Sequence, residues 1–233
     1  MYKRILIPLL GVLLASTACI GTLPSFLVNT LTIQSSTNQT TTGIASTVTS
    51  LSYFQREDGA WVLGSPDAPI TIVEFADFLC PHCQNYKTTI NDLINEYVST
   101  GKVNFEFRAY PILGDESVAY AEIAMCVAEL TQGSGLWTAV DILYEAGMNG
   151  ADAQSAQENI LAALSITPED FETCTTSTNM ITLNQQLGRE ADVRGTPAIR
   201  VRYNNGALQT IPGYEGGGVP LDVLIDLIAE ANE

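Results

Sequence analysis

The apolar and polar positions of the chain follow three successive patterns. Residues 5–15 form a continuous apolar run, whereas residues 29–52 are rich in Ser, Thr, Asn and Gln and have no periodic apolar face. From residue 53 onward, apolar positions recur with the periods of strands and helices. This pattern predicts a signal peptide over residues 1–18, a flexible tether over residues 19–52 and one folded domain over residues 53–233.

The folded part alternates between strand and helix patterns, which is typical of an α/β domain. The β-branched run over residues 70–75 predicts a buried strand, and apolar positions after Cys80 repeat at helical spacing up to Gly101. Residues 113–192 are rich in Ala, Glu and Leu and predict a helical subdomain inserted into the core. The remaining elements are strands over 103–110, 199–203 and 208–211, an Asn-Gly turn at 204–206, and a last helix opened by Pro220.

Composition and charge narrow the function classes. The 233 residues include 26 acidic and 10 basic side chains, a net charge of −16, so the phosphates of nucleic acid would be repelled. Lys3 and Arg4 are the only charges before Arg56, so the folded domain carries a net charge of −18, which is typical of a solvated surface. The single histidine, His82, excludes a multi-histidine metal centre and a Ser-His-Asp triad elsewhere.

The N-terminus has the features of an export signal. Lys3 and Arg4 precede the apolar run, and small residues lead directly to Cys19. This arrangement is similar to a bacterial lipobox, in which the cysteine is lipidated and becomes the mature N-terminus, although Ser16 departs from the usual pattern. Two alternatives are an uncleaved membrane anchor over residues 5–28 and ordinary cleavage after Ala18. All three place the domain on the extracytoplasmic face of the cytoplasmic membrane or beyond it.

The cysteine count suits an oxidising compartment. With Cys19 lipidated, four cysteines remain, and Cys80 and Cys83 form a Cys-x-x-Cys pair. Cys126 and Cys174 are then predicted to form a structural disulfide within the insertion; the alternative is two buried thiols. Structural zinc needs four ligands, and the chain offers no second Cys-x-x-Cys or histidine pair. We therefore predict a redox site with no metal and no separate cofactor.

The Cys-x-x-Cys pair lies where a predicted strand meets a predicted helix. Cys80 is placed at the helix N-terminus, and Pro81 fits the first helical position. The unpaired N–H groups and the helix dipole favour a thiolate at this place, and His82 adds positive charge when it is protonated. Cys83, one turn further along, is better shielded and is expected to be the resolving cysteine. A purely structural disulfide is the alternative.

The run from Val73 to Cys83, with Cys-Pro-His-Cys at its end, resembles the active-site signature of the DsbA-like thiol:disulfide oxidoreductases of the thioredoxin superfamily. Residues 62–69 are similar to the lead-in of the membrane-tethered branch. The loop with Thr196 and Pro197 resembles the one that carries the family's cis-proline. The resemblance covers residue 61 to the C-terminus and implies a thioredoxin fold with an inserted helical subdomain, and a cis proline beside the active-site sulfurs.

Glu74 lies in the middle of the apolar strand that precedes Cys80. A carboxylate in such a place is costly unless it is neutral or partnered, so a raised pKa is predicted. The resemblance places a buried acid here, close to the inner cysteine, and implies a proton acceptor for Cys83. The alternative is an ion-paired acid on an exposed strand face.

The resemblance also implies a function. The protein would donate the Cys80–Cys83 disulfide to reduced or unfolded exported proteins, and a membrane quinone-linked reoxidase of the DsbB or VKOR type would restore it. It would act as a monomer held at the membrane by its N-terminus, without nucleic acid. The alternatives are a disulfide isomerase or reductase and, from a different class, a non-catalytic lipoprotein that binds metal or unfolded clients.

Overall fold

The computed structural model of the chain describes residues 51–174 and 177–233. The predicted signal peptide, Cys19 and nearly all of the predicted tether lie outside these residues. The centre of the described part is a sheet of six strands: β1 (Tyr53–Gln55), β2 (Trp61–Leu63), β3 (Ile70–Ala76), β4 (Asn104–Ala109), β5 (Ala198–Tyr203) and β6 (Gln209–Thr210). Their spatial order is β1-β2-β4-β3-β5-β6, with β3 and β4 parallel and all other neighbours antiparallel.

Helices surround this sheet and provide its apolar cover. They are α1 (Pro81–Glu96), α2 (Asp115–Leu130), α3 (Leu136–Met148), α4 (Ala153–Leu164), α5 (Pro168–Glu172), α6 (Ser177–Glu190) and α7 (Leu221–Ala231), with a 3₁₀ turn at Val98–Thr100. Helix α1 packs against α3 and α7, while α2 and α6 pack against each other and against β4. Across the described residues, no helix combines the length and apolar character that a bilayer crossing requires.

Most of the predicted elements are confirmed, and the differences are local. The helical region is divided by turns at residues 131–135 and 149–152, and the turn after β5 is made by Asn204 and Asn205, whose φ angles of 49° and 59° are typical of tight hairpins. Gly101 ends the 3₁₀ turn rather than α1. The strand predicted over residues 208–211 is only two residues long. The β1–β2 hairpin was not predicted, because its strands are too short to show a period.

Strand β4 differs most from its pattern. Alternating apolar and polar residues are typical of a strand with one face in water, but all six residues of β4 are buried. The buried polar face holds a group of charges that we call the Glu106 network: Arg56, Asp58, Glu106, Arg108 and Arg202. Arg108 lies 2.6 Å from both Glu106 and Asp58. Arg202 and Arg56 approach the other Glu106 oxygen to 3.3 and 3.6 Å.

Candidate active site

The Cys-x-x-Cys pair occupies the predicted junction between strand and helix. Cys80 is the N-cap of α1 in an extended conformation, and Pro81 is the first helical residue. The Cys80 carbonyl accepts the first helical hydrogen bond from Gln84 N at 3.0 Å. The Cys80 side chain makes no capping bond, so its sulfur remains available at the positive end of the helix dipole. His82 is exposed beside it.

The loop before β5 brings Thr196 and Pro197 to the two cysteines. The Thr196–Pro197 peptide bond is cis, as the sequence predicts. The Cys80 thiol donates to the Thr196 carbonyl oxygen at 3.3 Å, and the Thr196 hydroxyl faces the sulfur of Cys83. Thr196 therefore binds Cys80 through its backbone carbonyl and turns its side-chain hydroxyl toward Cys83.

Cys83 is the shielded member of the pair. Its exposure is 0%, against 6% for Cys80. Burial raises the pKa of the Cys83 thiol, and the nearby charge of Glu74 raises it further, while the Thr196 hydroxyl works in the opposite direction. Cys83 thus stays a protonated thiol at neutral pH and needs a base before it can act as a nucleophile.

Glu74 lies in the middle of β3, opposite Phe107 on β4 and Ile199 on β5. It is 2% exposed, so the predicted burial is confirmed and the alternative of an exposed acid is wrong. Burial raises the pKa of Glu74 to about 8, even though the positive charge of Lys87 lowers it. Lys87 itself is bound to Asp141 of α3 at 2.6 Å. Glu74 is therefore mostly neutral at pH 7, and it becomes a carboxylate that can accept a proton as the pH rises toward 8.

Replacing Glu74 with Gln should remove a pH dependence from the stability of the reduced protein. Folded Glu74 keeps its proton up to about pH 8, whereas an unfolded glutamate loses it near pH 4.3. Between these values the folded state binds more protons, so raising the pH favours unfolding. The stability of wild type relative to Glu74→Gln should fall by up to about 1.4 kcal/mol per pH unit. Urea denaturation at pH 5 to 8 measures this slope.

The exposed Glu57 provides the control for that measurement, because Glu57→Gln makes the same change from carboxyl to amide at a position that is not buried. Its stability should follow that of wild type across the pH range. Parallel curves for Glu74→Gln and wild type would show that Glu74 does not titrate in this window.

Asp77 is a functional residue that the sequence analysis missed. Its carboxylate is buried just before Cys80 and accepts hydrogen bonds from Leu79 N at 2.9 Å, Ile112 N at 2.8 Å, Leu113 N at 3.2 Å and Ser117 Oγ at 2.5 Å. These bonds fix the active-site loop to the start of the helical region. A lone acid directly after a buried strand is the only sequence signal for this role, and all of its partners except Leu79 lie 35 to 40 positions away.

A groove of about 480 Å³ runs beside the redox site. Its lining residues are His82, Asn85, Tyr86, Thr89, Thr196, Pro197, Gly217 and Gly218. The Tyr86 hydroxyl holds one wall by donating to Val219 O at 2.7 Å and accepting from Val219 N at 3.1 Å. A Cβ on Gly218 would come within 2.5 Å of the Tyr86 ring, so this close wall requires glycine.

Cys126 and Cys174 lie together in the helical region, away from the redox pair. Both are thiols in this structure, and they are close enough to share a hydrogen bond. Cys126 is buried and also donates to Phe171 O at 3.6 Å, while Cys174 is half-buried and contacts Glu129 at 3.2 Å. Their disulfide stays a prediction. Within residues 51–174 and 177–233, no three His, Cys, Asp or Glu side chains are grouped as metal ligands.

Comparisons with known proteins agree with this geometry. A family model described as thioredoxin matches residues 56–208. A Bacillus anthracis protein named "Probable disulfide bond formation protein D" is 26% identical over 151 residues, which are 61% of this chain and 69% of that protein. The Bacillus subtilis "Disulfide bond formation protein D" is 42% identical over 50 residues, 21% of this chain and 22% of that protein.

Solved structures share the fold at low sequence identity. A thioredoxin-like oxidoreductase from Silicibacter pomeroyi DSS-3 superposes with a TM-score of 0.58 at 21% identity, over 80% of this chain and 96% of that one. The alpha-DsbA1 protein of Wolbachia pipientis superposes with a TM-score of 0.60 at 19% identity, over 76% of this chain and 93% of that one. These structures place the central sheet, α1 and the helical region in the thioredoxin fold.

Proposed function

Because the chain belongs to the thioredoxin family and is a DsbA-like protein disulfide oxidoreductase, we propose that it is an oxidase that introduces disulfides into exported proteins. The observation that supports this proposal best is that the two cysteines differ in position and in burial. Cys80 lies at a helix N-terminus with its sulfur against the cis-proline loop, whereas Cys83 is buried and its pKa is raised. A site that stabilises the Cys80 thiolate stabilises the reduced protein and makes its disulfide a stronger oxidant.

The reaction begins with the Cys80–Cys83 disulfide. A client thiolate attacks Cys80 Sγ, a mixed disulfide forms, and Cys83 leaves as a thiolate. Neutral Glu74 then gives Cys83 a proton. A second client thiolate attacks the client sulfur of the mixed disulfide and releases Cys80 as a thiolate. Two client thiols have become one disulfide, and the enzyme disulfide has become a dithiol.

We expect the clients to be unfolded or reduced chains, because such chains can lie extended in the groove beside Cys80. Its lining combines polar side chains with Tyr86, Pro197 and two glycines, and it includes Thr196 of the cis-proline loop. Because each turnover leaves a dithiol, a partner must remove two electrons. We assign this step to a membrane quinone-linked reoxidase of the DsbB or VKOR type, because the active-site signature resembles that of the DsbA-like oxidoreductases.

The reduction potential tests the oxidase assignment. The purified domain is equilibrated with glutathione buffers of known ratio, and the reduced fraction is measured by alkylation and mass spectrometry. We expect a value more oxidising than about −200 mV. A potential near that of thioredoxin, about −270 mV, would instead identify a reductase. Activity on scrambled disulfides without net oxidation would identify an isomerase.

We further propose that residues 1–18 are removed as a signal peptide and that lipid on Cys19 holds the domain outside the cytoplasm. Residues 19–52 would act as the tether, and residues 53–233, with the helical insertion over about 113–192, would form a monomeric catalytic domain. Cys19→Ala should then release the protein from membranes or leave an unprocessed precursor. Processing and membrane association unchanged from wild type would contradict lipidation.

A disulfide between Cys126 and Cys174 would close a loop of about 49 residues and should stabilise the fold by roughly 4 kcal/mol, less any strain. Peptide mapping of the protein isolated without reductant should show the two cysteines linked. The Cys126→Ala, Cys174→Ala double variant should lose the stabilisation without losing the redox reaction. Complete alkylation of both thiols in unfolded, unreduced protein would contradict the pairing.

A further inference from the structure

Arg200 is a buried cation that lies close to the redox site but takes no part in thiol exchange. It belongs to β5, three positions after Pro197, and is only 1% exposed. Burying a guanidinium is costly unless its N–H groups are bonded. Four hydrogen bonds from this guanidinium all reach backbone carbonyls: from Nε to Ala191 at 2.9 Å, from Nη1 to Ile199 at 2.8 Å, and from Nη2 to Asp192 at 3.0 Å and Glu215 at 3.2 Å.

Three of these carbonyls belong to the two ends of the cis-proline loop. Ala191 and Asp192 follow helix α6 directly, and Ile199 lies at the start of β5. The residues between these ends include Thr196 and Pro197, which face the redox cysteines. Because a guanidinium is planar and rigid, it holds both ends of the loop in one fixed arrangement.

The fourth carbonyl belongs to the opposite wall of the groove beside Cys80. Glu215 precedes three glycines, two of which, Gly217 and Gly218, line the groove. We call residues 215–219 the glycine wall. A Cβ at Gly217 would meet no heavy atom within 4 Å, so the wall presents backbone where a side chain would have had room. The Tyr86 hydroxyl fixes the far end of the wall, and the guanidinium fixes its near end.

We propose that Arg200 is the positioning residue that sets the distance between the cis-proline loop and the glycine wall, and thereby how tightly a client chain is held beside Cys80. The inference rests on the proposed function, since it concerns how that site binds its clients. The two walls come from separate segments of the chain, and one side chain bonds to both. A groove whose walls are already fixed does not have to be ordered when a peptide binds, so less binding free energy is lost.

A purely structural role for Arg200 is the alternative. The carbonyls of Ala191 and Asp192 lie at the C-terminal end of α6, where a cation stabilises the helix through its dipole. The Glu215 carbonyl does not belong to that helix, so helix capping leaves the bond to the glycine wall unexplained. The two roles differ in what they change: capping changes the free energy of unfolding alone, whereas positioning also changes the KM for a peptide.

The test compares a client that fills the groove with one that does not. Oxidised protein is mixed with excess of a short reduced peptide that carries two cysteines, or with excess reduced glutathione, and loss of the Cys80–Cys83 disulfide is followed by acid quench and mass spectrometry. The peptide series gives a KM and a limiting rate. Arg200→Lys keeps the charge but loses the fork, so the KM for the peptide should rise about tenfold. The limiting rate and the glutathione rate should each fall by less than about twofold.

Arg202→Lys is the matched control. Arg202 lies on the same strand and is 5% exposed, but it binds the Gly206 carbonyl at 3.1 Å and Glu106 at 3.3 Å, neither of which lines the groove. The control should lose stability, as measured by urea denaturation, and keep the wild-type KM. Arg200→Gln keeps an N–H donor without the charge and should raise the KM at least as much as Arg200→Lys, which keeps the test decisive if one variant fails to fold.

The outcomes separate the inference from the function beneath it. A KM of the Arg200 variants equal to that of wild type, or an equal rise in Arg202→Lys, would overturn the positioning role while leaving the redox function intact. Equal losses of rate with peptide and with glutathione would also overturn it, because the sulfurs rather than the groove would then be affected. Failure of wild type to oxidise either thiol would overturn the proposed function itself.

Discussion

The Cys83→Ala protein should become trapped on disulfide-bonded substrates, whereas Cys80→Ala should form no covalent complex. In the reduced protein, Cys80 attacks a substrate disulfide, joins one of its sulfurs and expels the other as a thiolate. Release then requires attack by Cys83 on Cys80. Cys80 has the accessible sulfur at the helix N-terminus, while Cys83 is buried with its pKa raised, so the two roles are not interchangeable. Turnover of Cys80→Ala should fall at least about a thousandfold.

Non-reducing electrophoresis and mass spectrometry distinguish these results. The Cys126→Ala, Cys174→Ala variant is the control, because it removes thiols from the same domain away from the redox pair. It should turn over and accumulate no complex. Trapping by Cys80→Ala would reverse the assignment of attacking and resolving cysteines.

Glu106→Gln should destabilise the domain by about 3–5 kcal/mol, the range for breaking a buried ion pair from one side. Glu106 is the anion shared by Arg56, Arg108 and Arg202, and its side chain is entirely buried. Its removal leaves the half-exposed Asp58 as the remaining acid of the Glu106 network. Thermal unfolding should begin about 10 °C or more below that of wild type.

The exposed pair of Arg194 and Asp192 provides the comparison. Its side chains are 84% and 66% exposed at a separation of 2.9 Å, so Asp192→Asn should change stability by less than about 1 kcal/mol. An effect of Glu106→Gln no larger than that of Asp192→Asn would mean that the arginines find other partners.

The sequence is enough to predict the redox pair and the elements that carry it. The run before Cys80 is continuously apolar and β-branched, the run after it has helical spacing, and Pro81 marks the boundary, so local patterns agree with one another. The placement of Cys80 and the burial of Glu74 follow from this agreement.

What the sequence could not predict depends on distant partners. The polar residues of β4 have the pattern of a solvated face, and only the packing of the β1–β2 hairpin and α6 over that face buries them. The same holds for Asp77, whose distant partners are Ile112, Leu113 and Ser117.

The two outermost strands bear on how the domain avoids aggregation. Strands β1 and β6 have only three and two residues, whereas the three central strands β3, β4 and β5 have six or seven. A long open edge would offer a row of unpaired N–H and C=O groups to any extended chain. An enzyme whose clients are extended chains would recruit them into its own sheet at such an edge. Short edges offer little backbone for such pairing, so under the proposed function the groove beside Cys80 would remain the place where clients dock.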